Sequence, residues 1–392
     1  MKTPLAWLNT TSKLPKLALA SSGIGFAVVL MFMQIGFLNG LFDSAVQILR
    51  LLDADYVLLS PARYTVPSEQ RFDVQFVNRV RSINGVSSVQ PIYIDRSMSE
   101  IRVMGNVSRS IRAIGVPQNS DVFIDPEMNA RVKQLARVDQ AIVDRKSKER
   151  YGFEKQEVEI LREQVAELSG KRVRFVDWVE IGTDFVYDGS LVLSDRAVEH
   201  FFPLRNPGGA PLAAVDLGLV RLDPALSIAE VQQSLREIRG ALGPSVEIMS
   251  KEDLIKREVG FWQRNTPIGA IFTIGTIMGL FVGVIICYQI LFTDITDHLP
   301  EFATLKAMGY GTSYFLKFVF MQSLYLSVFG FIPGWLVSAG LYYFLAEWTG
   351  LVMRLTPSRL ALVFCLTLIM CTISGLLAVR KLISADPATL FK

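Results

Sequence analysis

The stretch Thr266–Tyr310, TPIGAIFTIGTIMGLFVGVIICYQILFTDITDHLPEFATLKAMGY, decides the architecture. With Asn265 before it, its first part runs 29 residues to Thr293 without Asp, Glu, Lys or Arg. At about 1.5 Å per helical residue, that length crosses a hydrocarbon core of about 30 Å. Three further stretches are equally free of charge: Leu17–Phe42, Phe318–Ala346 and Leu360–Val379. A chain of 392 residues, 51% hydrophobic, with four such runs is neither a purely soluble enzyme nor an unstructured polymer. The strands of a membrane β-barrel alternate in polarity, and these runs do not. The fold expected is four transmembrane α-helices with a large α+β extracytoplasmic domain between helices 1 and 2. The first run exceeds the apolar core of a signal peptide, about 7–15 residues, and reads as a retained anchor.

The segments expected are 1–16 (cytoplasmic), 17–42 (first span), 43–264 (external domain), 265–293 (second span), 294–317 (cytoplasmic loop), 318–346 (third span), 347–359 (short external loop), 360–379 (fourth span) and 380–392 (cytoplasmic tail). Short loops set orientation through their basic residues. Lys2, Lys13, Lys16, Lys306, Lys317, Arg380, Lys381 and Lys392 fall on one side, Arg354 and Arg359 on the other. Both termini are therefore expected in the cytoplasm. Phe261, Trp262 and Trp348 then lie at the outer interface, and Trp7, Tyr310 and Tyr314 at the inner one, as an aromatic belt requires.

Net charge is +3, from 40 basic and 37 acidic residues, so no nucleic-acid footprint exists. Cys287, Cys365 and Cys371 all lie in apolar runs, which leaves the external domain without an internal disulfide. Two histidines, His200 and His298, make no recognisable metal site, and no cofactor is expected. In the external domain, Asp55–Leu59, Val86–Ile94, Ile101–Val103, Ser110–Val116, Arg172–Val176, Leu191–Leu193 and Ala214–Val220 read as strands. Phe72–Ile83 and Ile228–Leu242 read as helices, the latter with a Ser227–Glu230 capping box and a stripe of Ile228, Val231, Leu235 and Ile238. Glu127–Leu168 is charge-rich at helical spacing and broken at Gly152. It reads as two helices or a helical hairpin, either a docking arm or a solvated face.

The spans hold no ionisable carboxylate or amine, which argues against an ion-coupled transporter. Gln289 and Gln322 fall at similar depth and are expected to hydrogen-bond across helices, as structural glue. Gly275, Gly279 and Gly283 form a double GxxxG, a pattern of close helix packing within one chain or across a dimer. Gly36 and Gly40, and Gly330 and Gly334, repeat the spacing in spans one and three. After the second span, Asp294 and Asp297 precede a short helical run. Pro300 and Glu301 suit its first turn, Lys306 its last, and Gly309 its stop. Leu299, Phe302, Leu305 and Met308 form its apolar stripe. Such a helix reads as a coupling element that docks on a cytoplasmic partner, with Phe302 as anchor, or as an interfacial helix on lipid. No Walker motif, HExxH or GxSxG accompanies it, so ATP chemistry must come from another polypeptide.

The order of one span, a large outer domain and three spans resembles the FtsX/MacB-like permeases of ABC systems. The segment EFATLKAMGY (Glu301–Tyr310) resembles that family's coupling segment, and Arg380–Ala388 its ending. Thr266–Tyr310 as a whole, with Glu258–Trp262 and Gly330–Gly334, is similar to the DevC-type permease subunit of cyanobacterial exporters. The resemblance implies a homodimer in the bacterial inner membrane with its large domain in the periplasm. An ABC ATPase would bind at Asp297, His298, Leu299, Glu301, Phe302, Leu305, Lys306 and Met308. A periplasmic membrane-fusion adaptor and a TolC-like outer-membrane channel would complete a tripartite exporter of glycolipid or other envelope cargo. Membrane lipid is the remaining partner. Lipoprotein release and activation of a periplasmic cell-wall hydrolase share this layout. A receptor would need a signalling output that neither the inner loop nor the tail can hold.

Overall fold

The computed structural model describes residue 7 and residues 14–384. Lys2, Lys13, Lys392 and the tail from 385 onward lie outside the described residues. The chain divides into two compact units. One holds residues 1–40, 267–346 and 353–392; the other holds 41–266 and 347–352.

The first unit is the membrane part. Its long helices are α1 (Leu14–Ala45), α9 (Pro267–Asp297), α11 (Thr312–Thr349) and α12 (Pro357–Ser384). All four are long and apolar enough to cross a bilayer, and the chain is a four-span membrane protein. Each helix outruns its charge-free stretch. Absence of charge marks the apolar interior, whereas the backbone hydrogen-bond ladder continues through the interface until a break such as His298 or Pro357.

Helix α1 packs antiparallel to α9. A Cβ on Gly275 would lie against the amide of Gln34, one on Gly279 would meet Met31 Cγ at 3.6 Å, and one on Gly283 would fall 2.9 Å from Ala27 Cβ and into Met370. The double GxxxG therefore packs within one chain, against α1 and α12. On its other side α1 runs parallel to α11. A Cβ on Gly25 would meet the carbonyl of Gly330 at 3.3 Å, and one on Gly334 the carbonyl of Gly25 at 2.9 Å. Further along, the Tyr342 hydroxyl donates to the Phe32 carbonyl at 2.5 Å. Helices α9 and α12 are joined by Ser374 Oγ, which donates to the Val284 carbonyl at 2.8 Å.

The expected bond between Gln289 and Gln322 does not form. Gln289 is exposed, because the buried face of α9 runs through Gly279, Gly283, Cys287, Leu291 and Ile295, and Gln289 is turned well off that face. Gln322, 2% exposed, instead donates to the carboxylate of Asp294. Asp294 belongs to α9 itself, the first residue beyond the charge-free limit.

The second unit is built on an eleven-stranded sheet, order β13-β1-β12-β3-β6-β10-β7-β9-β8-β4-β5. The strands are β1 (Tyr56–Leu59), β3 (Val86–Asp95), β4 (Glu100–Val103), β5 (Arg109–Ser110), β6 (Arg112–Val116), β7 (Gln140–Asp144), β8 (Ala166–Leu168), β9 (Lys171–Val179), β10 (Ser190–Ser194), β12 (Leu217–Leu222) and β13 (Glu247–Ser250). A separate pair joins β2 (Phe72–Asp73) to β11 (Ala214–Val215). Side chains alternate across the sheet as the pleat requires. Leu58 enters one apolar cluster, while Val57 and Leu59 enter the other. Helices α3 (Val74–Arg81), α6 (Asp195–Phe201) and α7 (Ile228–Leu242) cover the first face; α2 (Gln47–Leu51), α4 (Pro126–Val132) and α8 (Lys251–Asn265) cover the second.

Three expectations are corrected here. Glu127–Leu168, read as two helices or a helical hairpin, has two short helices but no hairpin. It holds α4, β7, a short 3-10 turn at Glu149–Tyr151, α5 (Val158–Glu163) and β8. Most of the charges that carried the helical spacing are solvated, on turns and on the short helices, although Asp144 is fully buried, and Ala141-Ile142-Val143 is a central strand buried on both faces. Gly152 does end the 3-10 turn, at φ +76°. Ala214–Val220 is not one strand: it breaks at Asp216, which parts the small sheet from the large one. On α7 the capping box is present and Val231, Leu235 and Ile238 of the expected stripe pack on the first cluster, but Ile228 is 81% exposed and Ser234 and Leu242 are buried in its place.

Asp216 is fully buried. Its carboxylate accepts from the guanidiniums of Arg63 and Arg205 and from the Ile94 amide at 2.8 Å. Arg71, 3.0 Å from Asp95, adds a third cation 3.6 Å from Asp216. Removing one member of such a buried set strands the others. Asp216→Asn is therefore expected to destabilise the inserted domain by about 3–5 kcal/mol, read as a lowered unfolding midpoint; an unchanged midpoint would refute the role.

Packing also ranks the glycines. Gly279→Ala fits the space beside Met31, whereas Gly283→Ala collides with Ala27 and Met370. In detergent the Gly283 variant is expected to melt earlier by the equivalent of about 1–3 kcal/mol, the usual range for overpacking, and the Gly279 variant near wild type. Equal melting would reject the close contact.

Candidate coupling site

Within the membrane unit, the residues after Ile295 build a helical hairpin. Helix α9 ends at Asp297, His298 interrupts the ladder, and α10 spans Leu299–Ala307. Pro300 lacks an amide hydrogen, which the first turn of a helix does not need. The far end closes as a Schellman motif. The Tyr310 amide donates to the Leu305 carbonyl at 3.2 Å and the Gly309 amide to the Lys306 carbonyl at 3.1 Å, with Gly309 at φ +93°.

Charge holds the entrance. Lys16 Nζ lies 2.5 Å from Asp297. His298 Nδ1 lies 3.2 Å from Glu301 and its Nε2 lies 4.0 Å from Asp294. Asp294 in turn takes the Gln322 amide. Asp294 and Asp297, expected to precede the short helix, are thus the last turn of α9, and their contacts tie it to α1 and α11.

Phe302 is not placed to anchor a partner. It is 5% exposed, edge-on to Phe318 at 5.3 Å and to Phe315 at 6.0 Å. Leu299 and Leu305 pack on the same cluster. The apolar stripe of α10 serves to fix the helix on its own unit, because a short helix with one apolar face buries it against the nearest hydrophobic surface. The outward face consists of Pro300, Glu301, Thr304, Lys306 and Met308, with Met308 63% exposed. Tyr310, its ring tilted against that of Tyr314 with centroids 4.6 Å apart, follows it.

Of the helix-packing residues, Gly275, Gly279, Gly283 and Gln322 lie at contacts and Gln289 does not. Residues the sequence reasoning did not single out include Lys16 as a partner for Asp297, Gly25 against Gly330, and Asp216. Gly25 sits in a small-residue run, SSGIG, which is the signal that could have found it. Among the described residues no cluster of three or more His, Cys, Asp or Glu could hold a metal ion.

Residues 273–387 match the FtsX-like permease C-terminal family. No curated protein sequence matches the chain. Among solved structures, the periplasmic region of MacB from Actinobacillus actinomycetemcomitans is similar at 12% identity, with TM-score 0.36, over 53% of this chain and 92% of that one. The extracellular domain of the noncanonic ABC-type transporter YknZ from Gram-positive bacteria is similar at 11% identity, with TM-score 0.33, over 50% of this chain and all of that one.

The hairpin yields a test. Phe302→Asp would place a charge among Phe315 and Phe318, so the purified protein is expected to lose several degrees of thermal stability, whereas Glu301→Lys on the outward face should melt within about 0.5 kcal/mol of wild type. The reverse ranking would show that the faces are misassigned.

Proposed function

We propose that this chain is the membrane subunit of an ATP-driven exporter, a permease that carries motion from a cytoplasmic ATPase to its inserted domain. The observation that carries the reading is the helix α10. It is seated by Phe302 against Phe315 and Phe318 and closed at its C-terminal end by Gly309, with a polar outward face, inside the segment that matches the FtsX-like family. A seated helix with an exposed polar face transmits a push, because its own packing resists displacement. ATP hydrolysis is assigned to a separate subunit, docked on Pro300, Glu301, Thr304, Lys306 and Met308.

Both termini and the hairpin are assigned to the cytoplasm of a bacterial cell, and the inserted domain to the periplasm. The assembly is a homodimer of the DevC type. Its inserted domains meet a membrane-fusion adaptor that reaches a TolC-like channel, and its cargo is a glycolipid or another envelope component. Transmission of force through the spans, without passage of cargo between them, suits interiors that carry no Asp, Glu, Lys or Arg between Leu17 and Phe42 or between Asn265 and Thr293.

Co-purification of the tagged chain from its native membrane, with mass spectrometry, tests the reading. An ATPase and a periplasmic adaptor are expected to follow it. An ATPase with a lipoprotein carrier or a wall hydrolase would replace the exporter with one of those functions, and no ATPase would overturn the proposal. Glu301→Lys and Met308→Asp are expected to lower ATPase recovery at least tenfold while membrane insertion and melting stay unchanged. Undiminished recovery in both would reject α10 as the docking element.

A further inference from the structure

Four aromatic rings stand in a row on the inserted domain. Tyr64 packs on Phe261 with centroids 5.6 Å apart, Phe261 on Trp262 at 5.5 Å, and Trp262 on Phe185 at 5.2 Å. Phe261 and Trp262 belong to α8, but Tyr64 and Phe185 come from loops distant in sequence from any span. None of the four is in the buried core, and Tyr64 is 61% exposed.

The loop that presents Tyr64 is pinned on both sides of it. The buried Arg63 guanidinium donates to Asp216, to the Val66 carbonyl at 2.6 Å and to the Gln70 carbonyl at 3.0 Å. The Arg63 carbonyl accepts from Arg257 at 3.1 Å. The Val66 amide donates to Glu258 at 2.9 Å, and the same carboxyl takes the Trp262 indole N–H at 2.9 Å. The backbone is thus held by a buried charge network while the ring is directed outward. A ring held in this way loses little freedom when it meets another phase, and tyrosine, apolar with a polar tip, suits an interface.

Chain continuity says which phase. Phe261 lies six residues before Pro267, where the second span begins; four helical steps and the extended Thr266 keep it within about 13 Å of that residue. The headgroup layer on each side of the hydrocarbon is about 5–8 Å deep. Trp348, 78% exposed in the same unit, lies two residues beyond the membrane part's Ala346. We propose that the Tyr64–Phe261 face is a foot of the inserted domain on the membrane, with loop 60–66 resting in the headgroups of the outer leaflet, Tyr64 its anchor and the lipid surface its occupant. The foot stands apart from the exporter reading, since failure to recover an ATPase would leave it untouched.

The test uses the full chain in phosphatidylcholine–phosphatidylglycerol nanodiscs, with Cys287, Cys365 and Cys371 replaced by alanine. A nitroxide is attached at Tyr64→Cys and, for comparison, at Leu204→Cys, an exposed site elsewhere on the domain (72% exposed). Collision with oxygen, which partitions into lipid, is measured against collision with a water-soluble nickel chelate. The oxygen-to-nickel ratio at 64 is expected to exceed that at 204 at least threefold. Ala62→Cys, exposed on the same loop, should give a ratio between them and guards against a local effect of replacing the tyrosine. Equal ratios at 64 and 204 would place the loop in water and overturn the proposal. Low collision with both reagents at 64 would show a protein cover, a second copy or a partner, and would overturn it equally.

Discussion

Gly25 lies against the backbone of Gly330 and Gly334, and Gly283 lies against Ala27 and Met370, so the first helix touches two others at near-backbone distance. In lipid no hydrophobic force draws helices together, because acyl chains are as apolar as leucine. Close approach replaces it with dense dispersion contact and with hydrogen bonds such as that of Tyr342 to the Phe32 carbonyl. Helix α1 is the common wall of this arrangement, antiparallel to α9 and parallel to α11. Its end also reaches the hairpin, where Lys16 on α1 pairs with Asp297 at the turn from α9 to α10; the pair is half exposed and adds little to the seating that Phe302 gives α10.

The inserted domain is organised by a different constraint. Asp216 is a carboxylate without access to water, placed where one strand ends and another begins. Three arginines surround it, and two of them reach loops that the sheet alone would not order. Such a set adds little net stability compared with an apolar core of equal volume. It does define which loop lies where, because each guanidinium also donates to backbone: Arg63 to the Val66 and Gln70 carbonyls, Arg71 to the Arg205 carbonyl, and Arg205 to the Pro211 and Ala214 carbonyls. Glu258 extends the same arrangement, and burial raises its carboxyl above the usual range. A carboxyl of raised pKa stabilises the folded state most at low pH and loses that contribution as pH rises through the raised value. The Val66 and Trp262 donors offset part of that loss.

The four spans were legible because a long uncharged, apolar run in a folded protein belongs in lipid. The double GxxxG was legible as a contact, and the structure supplies what it touches. Glycine spacing cannot name its partner, since Gly25 and Gly36 look alike in sequence while only Gly25 meets a backbone. Gln289 and Gln322 show the limit of depth arguments. Equal depth brings two residues level, but rotation about the helix axis decides whether they face each other. The stripe of α10 failed for a related reason. An apolar face shows that something covers it, and here the cover is Phe315 and Phe318 of the same chain. In the inserted domain, β1, β3 and α7 announced themselves through alternation and capping. The strand Gln140–Asp144 did not, because a short run buried on both faces has no alternation and its flanking charges mimic a helix.

The six residues 347–352 fold with the inserted domain although two spans and the hairpin separate them from it in sequence. The Gly350 and Thr349 carbonyls accept from Thr183, and the Val352 amide donates to Ser44. The domain is thus discontinuous, and a fragment excised as 41–266 alone would be incomplete. Thr183 would lose both acceptors and Gly350 could no longer close over it. A soluble version for biochemical work needs residues 347–352 restored, by a linker or as an added peptide. The last piece of the domain is also synthesised only after the third span, so during translation its completion waits on insertion of the helices that precede it.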